Sequence, residues 1–489
     1  MLRPSRLAIA IAAGISILAG GAFAAGIGNS VHIEPGPRVA PGPTSSIHPT
    51  VINPNFPPGW NSSGQGGNGG TGGDSDHGKS NKHRTTKKDG TKKDAGSSLR
   101  AGFYLPPPGE LHFVSDEVIL TTRSGASTQR LEALARAHNM TRLETQDFAL
   151  TGRTMHRWRL GAGGSVAAMI RSLSGEQLVF RAQPNFIYIH QQQAAMEPAS
   201  LPNAEQGDPT QYVVGKLHLV DAHRLATGDR VLVAVIDSGI DDAHPDLAGA
   251  IVAKFDTLTT DEKPHTHGTE MAGAIAAHGR LLGVAPRAQL LAVRTFGAAA
   301  AGEESTTFRI LRGLDWAAGQ NARIINMSFA GPADPALHEA LDKANKRGIV
   351  LIAAAGNAGP KSPPLYPAAD PNVIAVTATD ADDRVFAQAN RGNYIAVAAP
   401  GVDILAPAPE GNVALTSGTS VAAAHVSGLA ALIVQLKPSL KPSDVRKILT
   451  ASAKSLGPKT RSEAGAGLAD ALAAVTAAQP PAAEHSAGQ

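Results

Sequence analysis

Between residues 111 and 193 the hydrophobic positions alternate between a period of two and a period near 3.6. Phe113–Leu120 reads as a strand, and Leu131, Leu134 and His138 fall on one face of a helix. Met155–Leu160 alternates as a strand does, and Val166, Met169, Ile170 and Leu173 mark a second helix. Leu178–Phe180 and Phe186–Ile189 close the segment with strands. The β-α-β-β-α-β order predicts a small ferredoxin-like α+β domain over residues 101–193. From residue 208 to 478 the pattern changes. Val231–Ile236 is apolar at every position, as a parallel strand buried on both faces should be. Met271–Ala277 reads as a buried helix of small residues, and Ile324–Ser328 as another apolar strand. Val426, Leu429, Ala430 and Ile433 recur at helical spacing. Together these runs predict an α/β domain of three layers, with helices on both faces of a mostly parallel sheet.

The flanks follow no such pattern. Met1–Arg6 is short and basic, Leu7–Leu18 is apolar, and Ala22-Phe23-Ala24 is a small-x-small cleavage site, so residues 1–24 read as a secretory signal peptide. Secretion or a periplasmic location follows. No other stretch is read as long and apolar enough to span a bilayer. Residues 25–100 run from a proline-rich piece through a Gly/Asn/Ser piece to a lysine-rich one. Their composition predicts a disordered linker. The lysines suit contact with an anionic surface, but no aromatic residues interleave with them, which speaks against nucleic acid. The polar stretch from His190 to Gly207 reads as an exposed cleavage strand, with residues 194–207 as the processing linker, and 479–489 as a disordered tail.

Composition narrows the chemistry. The chain has 489 residues, no cysteine and a net charge of +3. Thiol catalysis, cysteine-ligated zinc and disulfides are therefore excluded. A serine remains. Ser420 follows a Gly-Thr turn and opens the apolar helix. There its oxygen lies near free backbone N–H groups and the positive end of the helix dipole. That setting favours the negative charge that develops when a hydroxyl attacks a carbonyl. Such a serine needs a base, and the base needs an orienting group. Asp237 ends the Val231–Ile236 strand, at the sheet edge where α/β proteins bind ligands. His267-Gly268-Thr269 opens the small-residue helix.

The Asp237 strand, His267-Gly268-Thr269, Asn357 in Ala353–Asn357, and Gly418-Thr419-Ser420 stand in the order of one known family. Over roughly residues 208–478 the chain resembles the subtilisin-like serine proteases (the subtilase family, of peptidase S8 type). The resemblance implies a serine-type endopeptidase that works through Asp237, His267 and Ser420, with Asn357 as an oxyanion donor. It implies a substrate edge at Ser328, Phe329, Ala330 and Gly331, and a specificity-pocket wall at Ala354, Ala355 and Gly356. Tyr366-Pro367 matches a family turn in which the bond can be cis. The ferredoxin-like domain stands where the family carries an inhibitory propeptide, so the resemblance implies a self-processing zymogen. Its substrates would be proteins or peptides, and its own propeptide-like domain would be a partner. No cofactor is implied for the chemistry, and structural calcium, which the family often carries, is left unassigned. Met196, the sole large apolar residue between Gln191 and Leu201, is the residue expected before the maturation cut.

Five positions depart from the family pattern. Glu270 stands where a histidine is usual and reads as a first-turn helix stabiliser. Phe329-Ala330 replaces Leu-Gly, Val421 replaces methionine, and Ala424 replaces the proline before His425. Ala424 and Glu270 keep two alternatives open: a catalytically weak subtilase-fold scaffold protein, or a non-peptidase serine hydrolase.

Overall fold

The computed structural model describes residues 99–122, 126–190, 208, 210–258, 266–299 and 302–479. The expected signal peptide, the linker up to residue 98, the processing linker with Met196, and the tail beyond Gln479 lie outside them.

The first folded unit runs β1 (Phe113–Thr122), α1 (Thr128–Ala137), β2 (Met140–Phe148), β3 (Arg153–Leu160), α2 (Val166–Leu173) and β4 (Val179–Ile189). Its strands pair antiparallel in the order β2-β3-β1-β4, the expected ferredoxin-like arrangement, although the elements read from periodicity lacked β2 and split β4 in two. Val118, Leu120, Leu131, Leu134, Trp158, Ile170 and Leu173 make its core. Three boundaries differ from expectation. Leu178–Phe180 and Phe186–Ile189 are parts of one strand, because Pro184 and its polar neighbours still pair with β1. His138 caps α1 rather than lying within it. No apolar pattern announced β2, since only its two end residues are buried.

The second unit begins with α3 (Tyr212–Lys216), α4 (Leu219–His223), β5 (Leu232–Asp237), β6 (Ile251–Asp256), α5 (Thr266–Ala276), β7 (Gln289–Arg294), β8 (Gly297–Ala299) and β9 (Gly302–Thr306). It continues with α6 (Thr307–Gly319), β10 (Ile324–Met327), α7 (Pro335–Lys346), β11 (Val350–Ala354), β12 (Val373–Thr379) and β13 (Ile395–Pro400). It ends with β14 (Ile404–Ala408), β15 (Asn412–Thr416), α8 (Thr419–Leu436), α9 (Pro442–Ala451), α10 (Arg461–Ala464) and α11 (Ala471–Ala478). Seven strands pair in parallel in the order β13-β12-β11-β10-β5-β7-β6. Alternate residues of β5 serve opposite faces. Val233 and Val235 pack with Met271, Ile275, Val426 and Leu429 of α5 and α8. Ala234 and Ile236 pack with Phe308, Leu311, Leu337 and Leu341 of α6 and α7. That explains the unbroken apolar run: both faces are covered, so neither tolerates a polar side chain. At roughly 1.5–3 kcal/mol per fully buried large apolar side chain, this double burial dominates the stability of the sheet. Helix α8, with 18 residues, is in fact long and apolar enough to cross a membrane, contrary to the sequence expectation. It is instead the buried central helix, with Thr419 through Val434 all inside.

The two units share a sheet and an apolar core. β4 continues onto β9 and then β8. Ile119, Phe148, Met155 and Phe186 of the first unit join the cluster over α6 and α7. Polar side chains of β4 also meet the starts of those helices. Asn185 Oδ1 accepts from Phe308 N (3.2 Å) and Gln183 Oε1 from Ala336 N (3.1 Å). These are first-turn N–H groups that no intrahelical carbonyl can serve. Asp334, buried at the start of α7, accepts from Ala336 N, Leu337 N, Gln183 Nε2 and Thr307 Oγ1.

Candidate active site

The strand order reverses at β5, and the residues that close its carboxyl end form a site. Asp237, the last residue of β5, is fully buried. Its Oδ1 accepts from Ser238 N (2.8 Å) and from His267 Nδ1 (2.8 Å). His267 is the second residue of α5. It reaches Asp237 because glycine follows it: a Cβ on Gly268 would sit 2.0 Å from Gly239 O. Gly268 N donates to Ser238 Oγ at 3.2 Å, tying the start of α5 to the end of β5. Burial opposes a charge on His267, but the Asp237 carboxylate and its hydrogen bond outweigh burial, with Glu270 adding to them. The imidazole is held above its ordinary value. Burial likewise opposes the Asp237 charge, and His267 and His190 reverse it, so that carboxyl is lowered.

Ser420 is the second residue of α8, where its own N–H has no partner within the helix. The loop after β11 adds Asn357. Its Oδ1 accepts from Thr419 N (3.0 Å) and Thr419 Oγ1 (2.9 Å). That contact fixes the amide so that Nδ2 points to the other side, where a Cβ on Gly418 would lie 2.8 Å from it. Ser420 Oγ donates to Ser328 O at 3.3 Å, and Ser328 Oγ donates to Ser420 O at 3.0 Å. His267 Nε2 has no hydrogen-bond partner among the described residues.

A strand of the chain itself lies beside these groups. Ile189, at the end of β4, exchanges both backbone hydrogen bonds with Ala330, each at 3.0 Å. On its other side β4 pairs with β9, Ile189 opposite Glu304. The Tyr188 ring packs edge-on against Phe329 and covers Gly331 so closely that a Cβ there would fall 2.4 Å from it. His190 is stacked between His267 and Phe296, with ring centroids 4.0 and 4.1 Å away. Its Nδ1 meets Glu303 Oε2 at 2.6 Å. Burial and the neighbouring His267 hold His190 below its ordinary value.

His190, Asp237 and His267 are the one cluster of three potential metal ligands among the described residues. The two imidazoles lie face to face, however, so their in-plane lone pairs run side by side instead of converging on one ion. A mostly nitrogen set is also not what calcium takes. Calcium stays unassigned.

Comparison with known proteins agrees with this geometry. Residues 228–468 match the family model described as the subtilase family. Subtilisin Savinase from Lederbergia lenta is 38% identical over 269 residues, covering 53% of this chain and 97% of that protein. The chain belongs to the subtilase family. Subtilisin E from Bacillus subtilis (strain 168) is 41% identical over 242 residues, covering 47% of this chain and 62% of that protein. The chain thus spans less than two thirds of that relative's length. The fold is also that of fervidolysin from Fervidobacterium pennivorans, described as a keratinolytic enzyme related to subtilisin. That likeness has a TM-score of 0.65 and 24% identity, and covers 78% of this chain and 64% of the other.

In this subtilase Asp237 and His267 are in contact, and Ser420, Asn357 and Ser328 meet around the start of α8. β10 and β11 pair with Met327 opposite Ala353, so Ser328–Gly331 and Ala354–Gly356 leave the sheet at the same edge. Gly356 N donates to Thr419 Oγ1 at 3.1 Å. The Tyr366-Pro367 bond is cis. Two sequence readings need correction. Glu270 is not a first-turn stabiliser: α5 starts at Thr266, and Glu270 is its fifth residue and fully buried. His190 is not part of an exposed polar segment, because its side chain is only 3% exposed. Ala424 sits in unbroken helix. Sequence reasoning also missed Asn326 and Ser427. Asn326 Nδ2 donates to Ser328 Oγ, and Ser427 Oγ donates to Asn326 Oδ1, both at 2.9 Å. This buried chain joins β10 to α8 beneath Ser420. Its sole sequence signal is an asparagine inside an apolar strand.

Proposed function

We propose that this protein is a secreted serine endopeptidase, made as a zymogen that cuts itself. Ser420 Oγ attacks a peptide carbonyl, and His267 Nε2 takes its proton and later gives it to the leaving amine. Asp237 keeps the imidazole in the tautomer that carries hydrogen on Nδ1 and offsets the charge it gains. Asn357 Nδ2 and the Ser420 N–H receive the oxyanion. The acyl-enzyme then yields to water by the same steps in reverse.

The observation that carries the reading is β4 paired with Ala330 as a substrate would be. Ile189 pairs antiparallel with Ala330, so a strand continued in that register would pass Phe329 and Ser328 toward Ser420. Continued past the described residues, that register would present the bond after Gln191 for cutting; Met196, expected from the sequence, also lies outside those residues. Here Ser420 Oγ donates to the Ser328 carbonyl and not to His267 Nε2. The serine must turn from that carbonyl to the imidazole, and catalytic hydrogen bonds often form only once the reacting bond is in place. The leader-like residues 1–24 support export.

The test is turnover of casein by the full-length protein against Ser420→Ala. Activity in the wild type and its loss in the variant are expected. A folded wild-type protein that cleaves no protein or peptide overturns the endopeptidase reading in favour of a scaffold.

A further inference from the structure

The place of His190 is a built subsite. Its floor and ceiling are the rings of His267 and Phe296, in near-parallel stacks at interplanar angles of 22° and 23°. Its far end is Glu303, which holds the occupant twice. The carboxylate meets His190 Nδ1 at 2.6 Å, and the backbone carbonyl accepts from His190 N at 3.4 Å. Glu303 is itself shielded, its side chain 13% exposed. A flat side chain fits between the two rings, and a nitrogen-bound hydrogen at its edge satisfies the acid.

The register says which substrate residue would sit there. Ile189 lies opposite Ala330, so in an antiparallel strand continued in that register the place of His190 faces Phe329 and the next position would face Ser328, whose carbonyl meets Ser420 Oγ. In a substrate bound this way, the residue opposite Ser328 precedes the cut bond. The slot therefore takes the second residue before it.

We propose that Glu303 makes this subsite select a flat, N–H-bearing side chain, histidine or arginine, over an aliphatic one. The inference rests on the endopeptidase reading. A leucine there fills the gap between the rings but cannot make the hydrogen bond that His190 Nδ1 makes to Glu303 Oε2. Sites built to hydrogen-bond a substrate group reject analogues that lack it far more strongly than apolar pockets discriminate by size. A hydrogen bond to a charged group corresponds to about tenfold or more in affinity. Phe296 and His267 supply the stacking, and the Phe296 face suits a planar cation as well as an imidazole.

The test uses the full-length protein, expressed whole and brought to constant activity, with active sites counted by a serine-directed reagent. Three fluorogenic peptides differ only at the second position before the cut: histidine, arginine or leucine. The wild type is expected to show kcat/KM for the histidine and arginine peptides about tenfold or more above the leucine peptide. Glu303→Leu should erase or invert that ratio. Glu303→Gln, which keeps size and an acceptor, should lower it most for arginine. A wild type that cleaves all three at equal rates overturns the inference while leaving the endopeptidase reading intact. An unchanged ratio in Glu303→Leu, or in Glu303→Gln if the leucine variant does not fold, also overturns it. A protein that cleaves none of the three ends both.

Discussion

Replacing Gly268 by alanine probes how the fold brings Asp237 and His267, the proposed catalytic pair, together. The new Cβ would stand 2.0 Å from Gly239 O and 3.0 Å from Gly239 C, both backbone atoms. Non-bonded carbon contacts are comfortable at about 3.5 Å, so the start of α5 and the end of β5 must part by roughly an ångström or more. Neither partner is a flexible side chain that can swing away. Gly268 is joined to His267, and Gly239 stands two residues after Asp237, so the displacement falls on their 2.8 Å hydrogen bond. A misplacement of about 1 Å at reacting groups costs on the order of 10²-fold in rate. Overpacking of this kind costs about 1–3 kcal/mol of stability, which leaves a folded protein with a lowered Tm. The assay is kcat/KM on a peptide substrate beside a thermal melt, with Gly215→Ala as control, since nothing lies within 4 Å of a Cβ there. A Gly268→Ala variant that melts cooperatively and keeps activity within threefold of wild type would refute the reasoning.

A general base must be neutral to work, and His267, proposed for that role, is held above its ordinary value with Glu270 contributing. Activity should therefore rise at a pH above about 6.5, and Glu270→Gln should move the rise to lower pH; an unmoved profile removes Glu270 from the site. Burial pushes His425 down to about 4, its Nδ1 donating to Pro400 O. The unfolded chain binds that proton more readily, so stability is lost as pH falls from about 6.5 through 4, by up to about 3 kcal/mol. Urea midpoints at neutral and acid pH should show that loss shrinking in His425→Gln, and an equal loss in both proteins would contradict it. Expressed in a host without suitable proteases, Ser420→Ala should stay whole. Wild type should yield a new N-terminus within 190–207, at Gln192 by the register of β4. A Ser420→Ala chain that is cut at the same bond excludes self-processing.

The legible parts of the sequence are those where one physical demand acts alone. β5 was readable because burial on both faces forbids polar residues, and Asp237 stood out at its end. Ser420 was readable from the Gly-Thr turn before an apolar helix. The ferredoxin-like unit emerged from alternating periods, although β2 hid because its middle faces water. Demands that depend on distant partners were not legible. His190 looks like any polar residue at the edge of a linker. Its burial comes from His267, Phe296 and Glu303, which lie far along the chain. Glu270 looked like an ordinary helix-start acid because nothing local shows that α5 begins at Thr266. Asn326 and Ser427 belong to different elements, and only packing of β10 against α8 makes them a pair. Gln183 and Asn185 seemed to interrupt a strand, yet they serve the first turns of α7 and α6.

The central claim is that Ser420 is a nucleophile activated by His267. A phosphonylating reagent directed at serine, followed by peptide mapping by mass spectrometry, tests it most directly. The full-length protein should gain one adduct, on Ser420, as activity disappears. His267→Ala should take up the reagent slower by about 10³-fold or more. Loss of activity with the adduct on another residue, or equal labelling of Ser420 in wild type and His267→Ala, would contradict the account.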